Sequence, residues 1–239
     1  MTWVIAHRGA SADERENTLP AFERAIAIGA DFVELDVQAS ADGELVVFHD
    51  LELDRLTPLR GPLRRRTIAE LREHGIPTLA EVLDLTRGRI RVMAELKSVH
   101  LFRRHDVVGR TVALLGDDDV VLSFGRRTLL EARGRRPSLR VLQHVGYGVS
   151  IRAAAGYAWA VGFHDPRVTA RGLERARRLG LETTVYTVND ERRMRRLVAL
   201  GVDGIFSDRP ALLRDVLSSP ARAPDPAPAP APASKPPRG

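Results

Sequence analysis

The chain has 239 residues, 28% of them charged and 44% hydrophobic, with no cysteine and a formal net charge of +6. A cysteine-free chain excludes a disulfide scaffold, a thiolate metal site and a cysteine nucleophile, and the composition excludes a collagen-like or low-complexity body. No run approaches the roughly 18 apolar residues that span a bilayer. The opening MTWVIAHRGA is too short and too quickly charged for a signal peptide, so a cytoplasmic location is expected.

Strand-length apolar runs alternate with amphipathic segments along the chain. Residues 3–7 read as the first strand and 19–28 as the first helix, with Asn17 as a plausible N-cap and Gly29 as the residue that ends it. Strands at 32–37 and 45–48 follow with no room for a helix between them, and Asp42-Gly43 is a strong hairpin signal. Taken as a two-residue loop, that pair brings Asp36 opposite His49. Helices at 79–86, 107–115 and 129–133 then precede strands at 90–95, 120–123 and 141–144. Strands at 158–163, 183–187 and 204–206 and helices at 170–179, 191–200 and 210–217 complete the series. Gly180 and Gly201 stand where helices would stop, while Ser207 and Asp208 are plausible N-caps. From Ser219 onward the chain holds eight of its fifteen prolines and no large apolar residue, so 219–239 reads as a disordered Pro/Ala-rich tail.

Helices between strands imply parallel pairing with right-handed crossovers. Setting aside the return strand of the hairpin leaves eight parallel strands in residues 1–218, the lower end of the range for a (β/α)8 TIM barrel. The expected fold is thus α/β, a barrel with one extra hairpin strand after strand 2.

The net charge deserves a discount. Lys97 and Lys235 are the two lysines beside 35 arginines, which suggests a GC-rich coding background more than selection for polyanions. The tail carries +2 of the +6, leaving +4 on the body. The densest run, Arg64-Arg65-Arg66 with Arg60 nearby, has no interleaved aromatic residue and reads as a solvated loop.

In a parallel barrel the chemistry sits at the C-terminal ends of the strands. The first strand ends in His7-Arg8-Gly9. The second carries Glu34 and Asp36 two residues apart and therefore on one face. The return strand of the hairpin delivers His49-Asp50, and the strand at 90–95 runs into Glu95-Leu96-Lys97. Three carboxylates aimed into one barrel mouth need positive charge to offset them, and an all-oxygen set suits a hard divalent cation, Mg²⁺ or Ca²⁺. Two histidines add acid/base groups, and Arg8 with Lys97 suits an anionic group such as a phosphate. Tyr186 and Phe124, at or just beyond strand ends, are candidate walls of a substrate pocket. His144, His164 and Asp165 also end strands and read as polar groups of the barrel rim.

These residues carry a resemblance. AHRGASADERENTLPAFERAIAIGADFVELDVQASADGELVVFHD at 6–50, LDRLT at 53–57, IPTLAEVL at 76–83, AELK at 94–97, LSF at 122–124, VYTVND at 185–190 and GVDGIFSDRP at 201–210 resemble the glycerophosphodiester phosphodiesterase family, bacterial cytosolic type, in the family's own order. The resemblance implies a TIM barrel of the PLC-like phosphodiesterase type. It also implies metal-dependent hydrolysis of a glycerophosphodiester to glycerol 3-phosphate and an alcohol. Glu34, Asp36 and Glu95 match the metal ligands, His7 and His49 the catalytic acid/base pair, and Arg8 and Lys97 the phosphate-contacting cations. The implied partner is a small-molecule substrate, with no nucleic acid and no stable membrane insertion. The alternative activity is a lysophospholipase D-like or sphingomyelinase D-like phosphodiesterase, which wants an apolar rim around the mouth.

Overall fold

The computed structural model describes residues 1–219, so the expected tail lies, from Pro220 on, outside the described residues. In chain order the elements are β1 (Trp3–Ala6), α1 (Leu19–Ile28), β2 (Phe32–Ala39), β3 (Leu45–Val47), α2 (Ile68–Arg72), α3 (Leu79–Thr86) and β4 (Arg91–Leu96). They continue with α4 (Val107–Leu114), β5 (Val120–Ser123), α5 (Arg126–Arg135), β6 (Arg140–His144), α6 (Ile151–Ala154) and β7 (Ala160–His164). The last are α7 (Ala170–Arg178), β8 (Glu182–Tyr186), α8 (Glu191–Ala199), β9 (Gly204–Ser207) and α9 (Pro210–Ser218).

Eight of these strands are parallel and close on themselves through pairing of β1 with both β9 and β2, forming the expected barrel. Every position of β2 is buried, because side chains such as Val33, Leu35 and Val37 pack toward the helices while Phe32 packs inside the barrel. The barrel floor is apolar: Ile5, Phe32, Met93, Leu122, Leu142 and Phe206 pack there with Trp3 and Trp159 against them. An apolar floor leaves the opposite end of the same strands as the place where inward polar groups can reach solvent.

β3 is the extra strand, antiparallel to β2, but its register is one residue from the expected one. Val37 pairs with Val47 and Ala39 with Leu45, so Asp36 accepts the N–H of Phe48 at 2.9 Å and is not opposite His49. The loop has three residues, 41–43, closed by Ser40 N–H to Glu44 O at 2.9 Å. Gly43 takes φ +91° and Ser40 Oγ bonds Asp42 at 2.6 Å while accepting from Glu44 N at 2.9 Å. A three-residue loop with glycine in the left-handed region is the alternative to the two-residue turn, and the Ser40 hydroxyl favours it here. β4 covers one edge of β2 from Phe32 to Val37, whereas β1 takes only Phe32 and Val33 on the other edge and β3 the last three residues. The return strand therefore docks beyond the end of β1, which delivers His49 beside His7 despite the shifted register.

Residues after β3 form a small cap around Phe48, Leu53, Leu63, Leu71 and Ile76. Its helix α2, absent from the sequence-based reading, starts at a capping box of Thr67 with Glu70, and α3 starts at a second one of Thr78 with Glu81. Within the cap Arg60 pairs with Asp54 at 3.3 Å and Arg66 with Glu70 at 3.0 Å, while Arg64 and Arg65 are exposed, as a solvated loop requires.

Candidate active site

Side chains of one parity along each strand face the barrel axis, and they change from apolar to polar toward the C-terminal end. Ile5 is followed by His7, Phe32 by Glu34 and Asp36, Met93 by Glu95 and Lys97, and Phe206 by Asp208. A cavity of about 350 Å³ opens there. Its lining includes His7, Arg8, Glu34, His49, Glu95 and Lys97 on one side and Phe124, His144, Tyr147, His164 and Tyr186 on the other. A larger concavity of about 550 Å³ lies at the far end, beside the start of β4, but it is edged by surface groups such as Arg87, Asp117 and Asp118 and holds no convergent buried acid or base.

Glu34, Asp36 and Glu95 are all but fully buried, and each offers an oxygen within 4.8 Å of the others. Lys97 Nζ stands 2.8 Å from Asp36 and 3.2 Å from Glu95. Arg8 Nε is 3.3 Å from Asp36, and the Arg8 backbone N–H donates to Glu34 at 3.0 Å. Burial would raise Asp36, yet Lys97, Arg8 and then His49 hold its carboxyl well below the usual range. Glu34 goes the other way: burial, then the charges of Asp36 and Glu95, push it well above that range. Glu95 is pushed up to about 7 by burial, with Asp36 adding and Lys97 opposing. Two of three packed carboxylates resisting ionisation is the signature of a cluster short of positive charge. Glu34 Oε1 and Glu95 Oε1 are buried without a hydrogen-bond partner among the described residues. Buried orphan oxygens on a hard, all-oxygen donor set fit a divalent cation, held by Glu34, Asp36 and Glu95.

Each histidine is tied at Nδ1 to a carboxylate. His7 Nδ1 lies 2.6 Å from Asp208 Oδ1, and His49 Nδ1 lies 2.6 Å from Asp50 Oδ1. Their Nε2 atoms are thereby left for the cavity, that of His7 at 4.0 Å from Glu34. Asp208 is fixed in turn by Ser11 Oγ at 3.0 Å and Asn189 Nδ2 at 2.6 Å. Although burial opposes it, these bonds, that of His7 first, bring Asp208 down to about 2. Asp50 is also held by Arg55 at 2.6 Å, and Arg55 forks onto Glu16, which holds Arg8 at 2.8 Å. Burial lowers the His49 imidazole, with Asp36 opposing and Lys97 reinforcing the shift.

Several of these partners carry other readings at the level of sequence. Asn17 is not the N-cap of α1; Thr18 is, and the Asn17 amide instead donates to Asp36 at 2.9 Å and accepts its backbone N–H at 3.3 Å. Asp208 is not an N-cap either, since Arg209 holds that position and the Asp208 carboxylate is spent on His7. Its motif Ser207-Asp208-Arg209-Pro210 looks like a helix start, and no local signal pairs it with a histidine 201 positions away. Arg8 and Asn17 both take φ near +58°, and Gly9 takes +84°. A Cβ at Gly9 would stand 2.7 Å from the backbone of Ala21, so the residue after Arg8 must be glycine for the chain to turn against α1.

Phe124 and Tyr186 sit where expected, on the cavity wall 5.9 Å apart in an edge-to-face arrangement. His144 is not a rim group. It is 3% exposed, its ring 4.2 Å from that of Tyr186 and 4.5 Å from that of Phe124, and burial with the nearby positive charge of Lys97 lowers it to about 3. Gly162 makes room for it, as a Cβ there would stand 2.4 Å from His144 Nδ1. His164 also lines the cavity, whereas Asp165 turns away to Arg193 at 2.6 Å.

A parallel barrel whose mouth joins a carboxylate cluster, two carboxylate-tethered histidines and two cations defines a class of hydrolytic enzyme that handles an anionic ester beside a divalent cation. The family model for the glycerophosphoryl diester phosphodiesterase family matches residues 7–212. A glycerophosphodiester phosphodiesterase of Bacillus altitudinis is 31% identical over 241 residues, covering 88% of this chain and 96% of its own length. Among solved structures, a glycerophosphodiester phosphodiesterase from Agrobacterium tumefaciens is 30% identical with a TM-score of 0.73, covering 90% of this chain and 100% of its own. A phosphodiesterase from Oleispira antarctica, solved in complex with the product sn-glycerol-3-phosphate, is 25% identical with a TM-score of 0.81, covering 90% and 96%. The chain belongs to the glycerophosphoryl diester phosphodiesterase family and is an enzyme of it.

Proposed function

We propose that this enzyme hydrolyses glycerophosphodiesters to glycerol 3-phosphate and an alcohol. The observation that carries the reading is the buried triad of Glu34, Asp36 and Glu95, with an oxygen of each within 4.8 Å of the others, flanked by His7 and His49 on one cavity. The product named for the Oleispira antarctica relative supports the glycerol 3-phosphate half.

Glu34, Asp36 and Glu95 would hold a divalent cation, Mg²⁺ or Ca²⁺, which would supply Lewis-acid neutralisation of charge on the phosphoryl oxygens. Arg8 and Lys97, both held above their ordinary values by the surrounding carboxylates although burial opposes it, remain charged and orient the phosphate. His49, whose burial favours the neutral imidazole, accepts at Nε2 the proton of the nucleophile. His7, whose Nδ1–H donates to the Asp208 carboxylate, presents Nε2 to the departing alkoxide and donates a proton there. Phe124 and Tyr186 wall the organic part of the substrate. The nucleophile is water or a neighbouring hydroxyl of the glycerol, and a cyclic intermediate trapped in a rapid quench would identify the hydroxyl.

The test is glycerol 3-phosphate release from glycerophosphocholine, with and without chelator. Chelator-sensitive release supports the reading; activity indifferent to chelator, or none on any glycerophosphodiester, removes it. Exposed Leu51 and Leu101, in segments that follow β3 and β4 at the mouth end, favour testing one further activity, the phospholipase D-like cleavage of a lysophospholipid. Choline release, measured on glycerophosphocholine and on lysophosphatidylcholine, separates the two.

A further inference from the structure

The charge of the body is not spread evenly. Residues 124–200 hold sixteen arginines against six acidic groups, a formal +10, while residues 1–123 hold sixteen basic and twenty-one acidic groups, a formal −5. A coding bias toward arginine acts on every segment alike and does not produce that contrast.

The position of the arginines is more telling than their number. Arg127, Arg152, Arg171 and Arg192 are each the second residue of α5, α6, α7 and α8, and Arg126 opens α5. In α5, α7 and α8, helices of nine or ten residues, that is the end where the dipole disfavours a cation. All five are exposed, and none has a carboxylate partner among the described residues. Arginines in the last turns, such as Arg135 and Arg178, complement the dipole and pair with Glu131 or Glu174. Folding accounts for the second group; in the first, Arg126 lies 5.8 Å from the Tyr157 ring centroid, and Arg127, Arg152, Arg171 and Arg192 are left unexplained.

In this barrel the helix N-termini after β5 to β8 stand at the mouth end. Exposed apolar side chains occur at the same end: Tyr147 after β6 is 44% exposed, Leu101 after β4 is 40% and Leu51 after β3 is 41%. Cations without a carboxylate partner at the starts of α5 to α8, with the exposed Tyr147 in the same half of the mouth, match a negatively charged bilayer surface. Nucleic acid would ask instead for a groove or for stacked aromatic platforms along the basic stripe, and Tyr147 is the one exposed aromatic residue among the described residues.

We propose that the mouth end of the barrel docks reversibly on anionic phospholipid membranes, with Arg126, Arg127, Arg171 and Arg192 as the electrostatic contacts. The active-site opening then faces the surface from which lipid-derived diesters arise. This docking goes beyond the hydrolytic reading and does not depend on it.

The experiment is co-sedimentation of the full chain with vesicles of phosphatidylglycerol and phosphatidylcholine, against phosphatidylcholine alone. Two matched variants are compared: Arg126→Gln/Arg127→Gln/Arg171→Gln/Arg192→Gln at the mouth, and Arg135→Gln/Arg175→Gln/Arg178→Gln/Arg196→Gln at the far end. Binding to the anionic vesicles should fall about tenfold or more in the mouth variant, change little in the far-end variant and weaken with salt. Equal loss in both variants, equal binding to both vesicle types, or tight binding to single-stranded DNA without vesicle binding would overturn the proposal. Hydrolysis of soluble glycerophosphocholine by both variants is followed in parallel. Vesicle binding without hydrolysis removes the activity and leaves the docking; hydrolysis without binding does the reverse.

Discussion

The two halves of the barrel divide their work in opposite ways inside and out. Inside, the wall from β1 to β4 carries the acidic and basic side chains: His7, Arg8, Glu34, Asp36, Glu95 and Lys97, with His49 brought in by the hairpin. The wall from β5 to β8 is lined by Phe124, His144, Tyr147, His164 and Tyr186, in which burial keeps His144 neutral and raises Tyr186 above its ordinary value. Outside, the β1 to β4 half is acidic and the helices α5 to α8 are basic. In the proposed reaction, charge is buried where it would act on a phosphate, in a network dense enough to hold it, and the other wall would shape what enters. Among the described residues no helix is long and apolar enough to cross a membrane.

Breaking the charged wall has the largest expected effect. Glu34→Gln or Glu95→Gln should lower kcat/KM by about 10³-fold or more, because each would remove an oxygen donor from the proposed cation site. Steady-state rates at saturating divalent cation check this. His7→Ala and His49→Ala should each cost about 10²- to 10⁴-fold in turnover while leaving calorimetric metal binding largely intact. Near-normal turnover in either variant would sink the acid/base pair. Asp208→Asn, which keeps the shape but not the charge that holds His7, should cost about 10- to 100-fold and distort the pH profile, as a purely structural change would not.

A smaller effect concerns protons. Glu95 rises to about 7 in the cation-free cluster, chiefly by burial, so below that pH a cation must displace a proton to bind. Divalent-cation affinity should therefore climb as pH rises from about 6 to 8, with proton release on binding that shrinks over the same window; titration calorimetry in buffers of differing ionisation enthalpy measures both. A pH-independent affinity without proton release would contradict the raised Glu95. On the neutral wall, His144→Phe keeps the ring and loses the polar atoms, so KM should rise only about 2- to 10-fold with little change in kcat. A collapse of kcat in that variant would erase the distinction between the two walls.

Most of the charged wall was legible along the chain, and for a local reason. Glu34 with Asp36 and Glu95 with Lys97 share faces because a strand repeats every two residues, and a parallel barrel turns all such ends toward one mouth. The alternation of strands and helices was equally legible in the spacing of apolar residues. The T-x-x-E boxes at Thr67 and Thr78 are equally local, and only the second lay in a helix that the apolar spacing revealed. Tertiary structure decided what depends on partners distant in the chain. The Ser40 hydroxyl chose the three-residue loop and set Asp36 against Phe48. Asp208 met His7 only because β9 closes the barrel against β1, joining residues 201 positions apart. His144 moved from the rim to the cavity wall because Gly162 on the neighbouring strand leaves space for its ring. The arginines at the starts of α5 to α8, scattered in sequence, became one surface because the barrel brings every helix start to the same end.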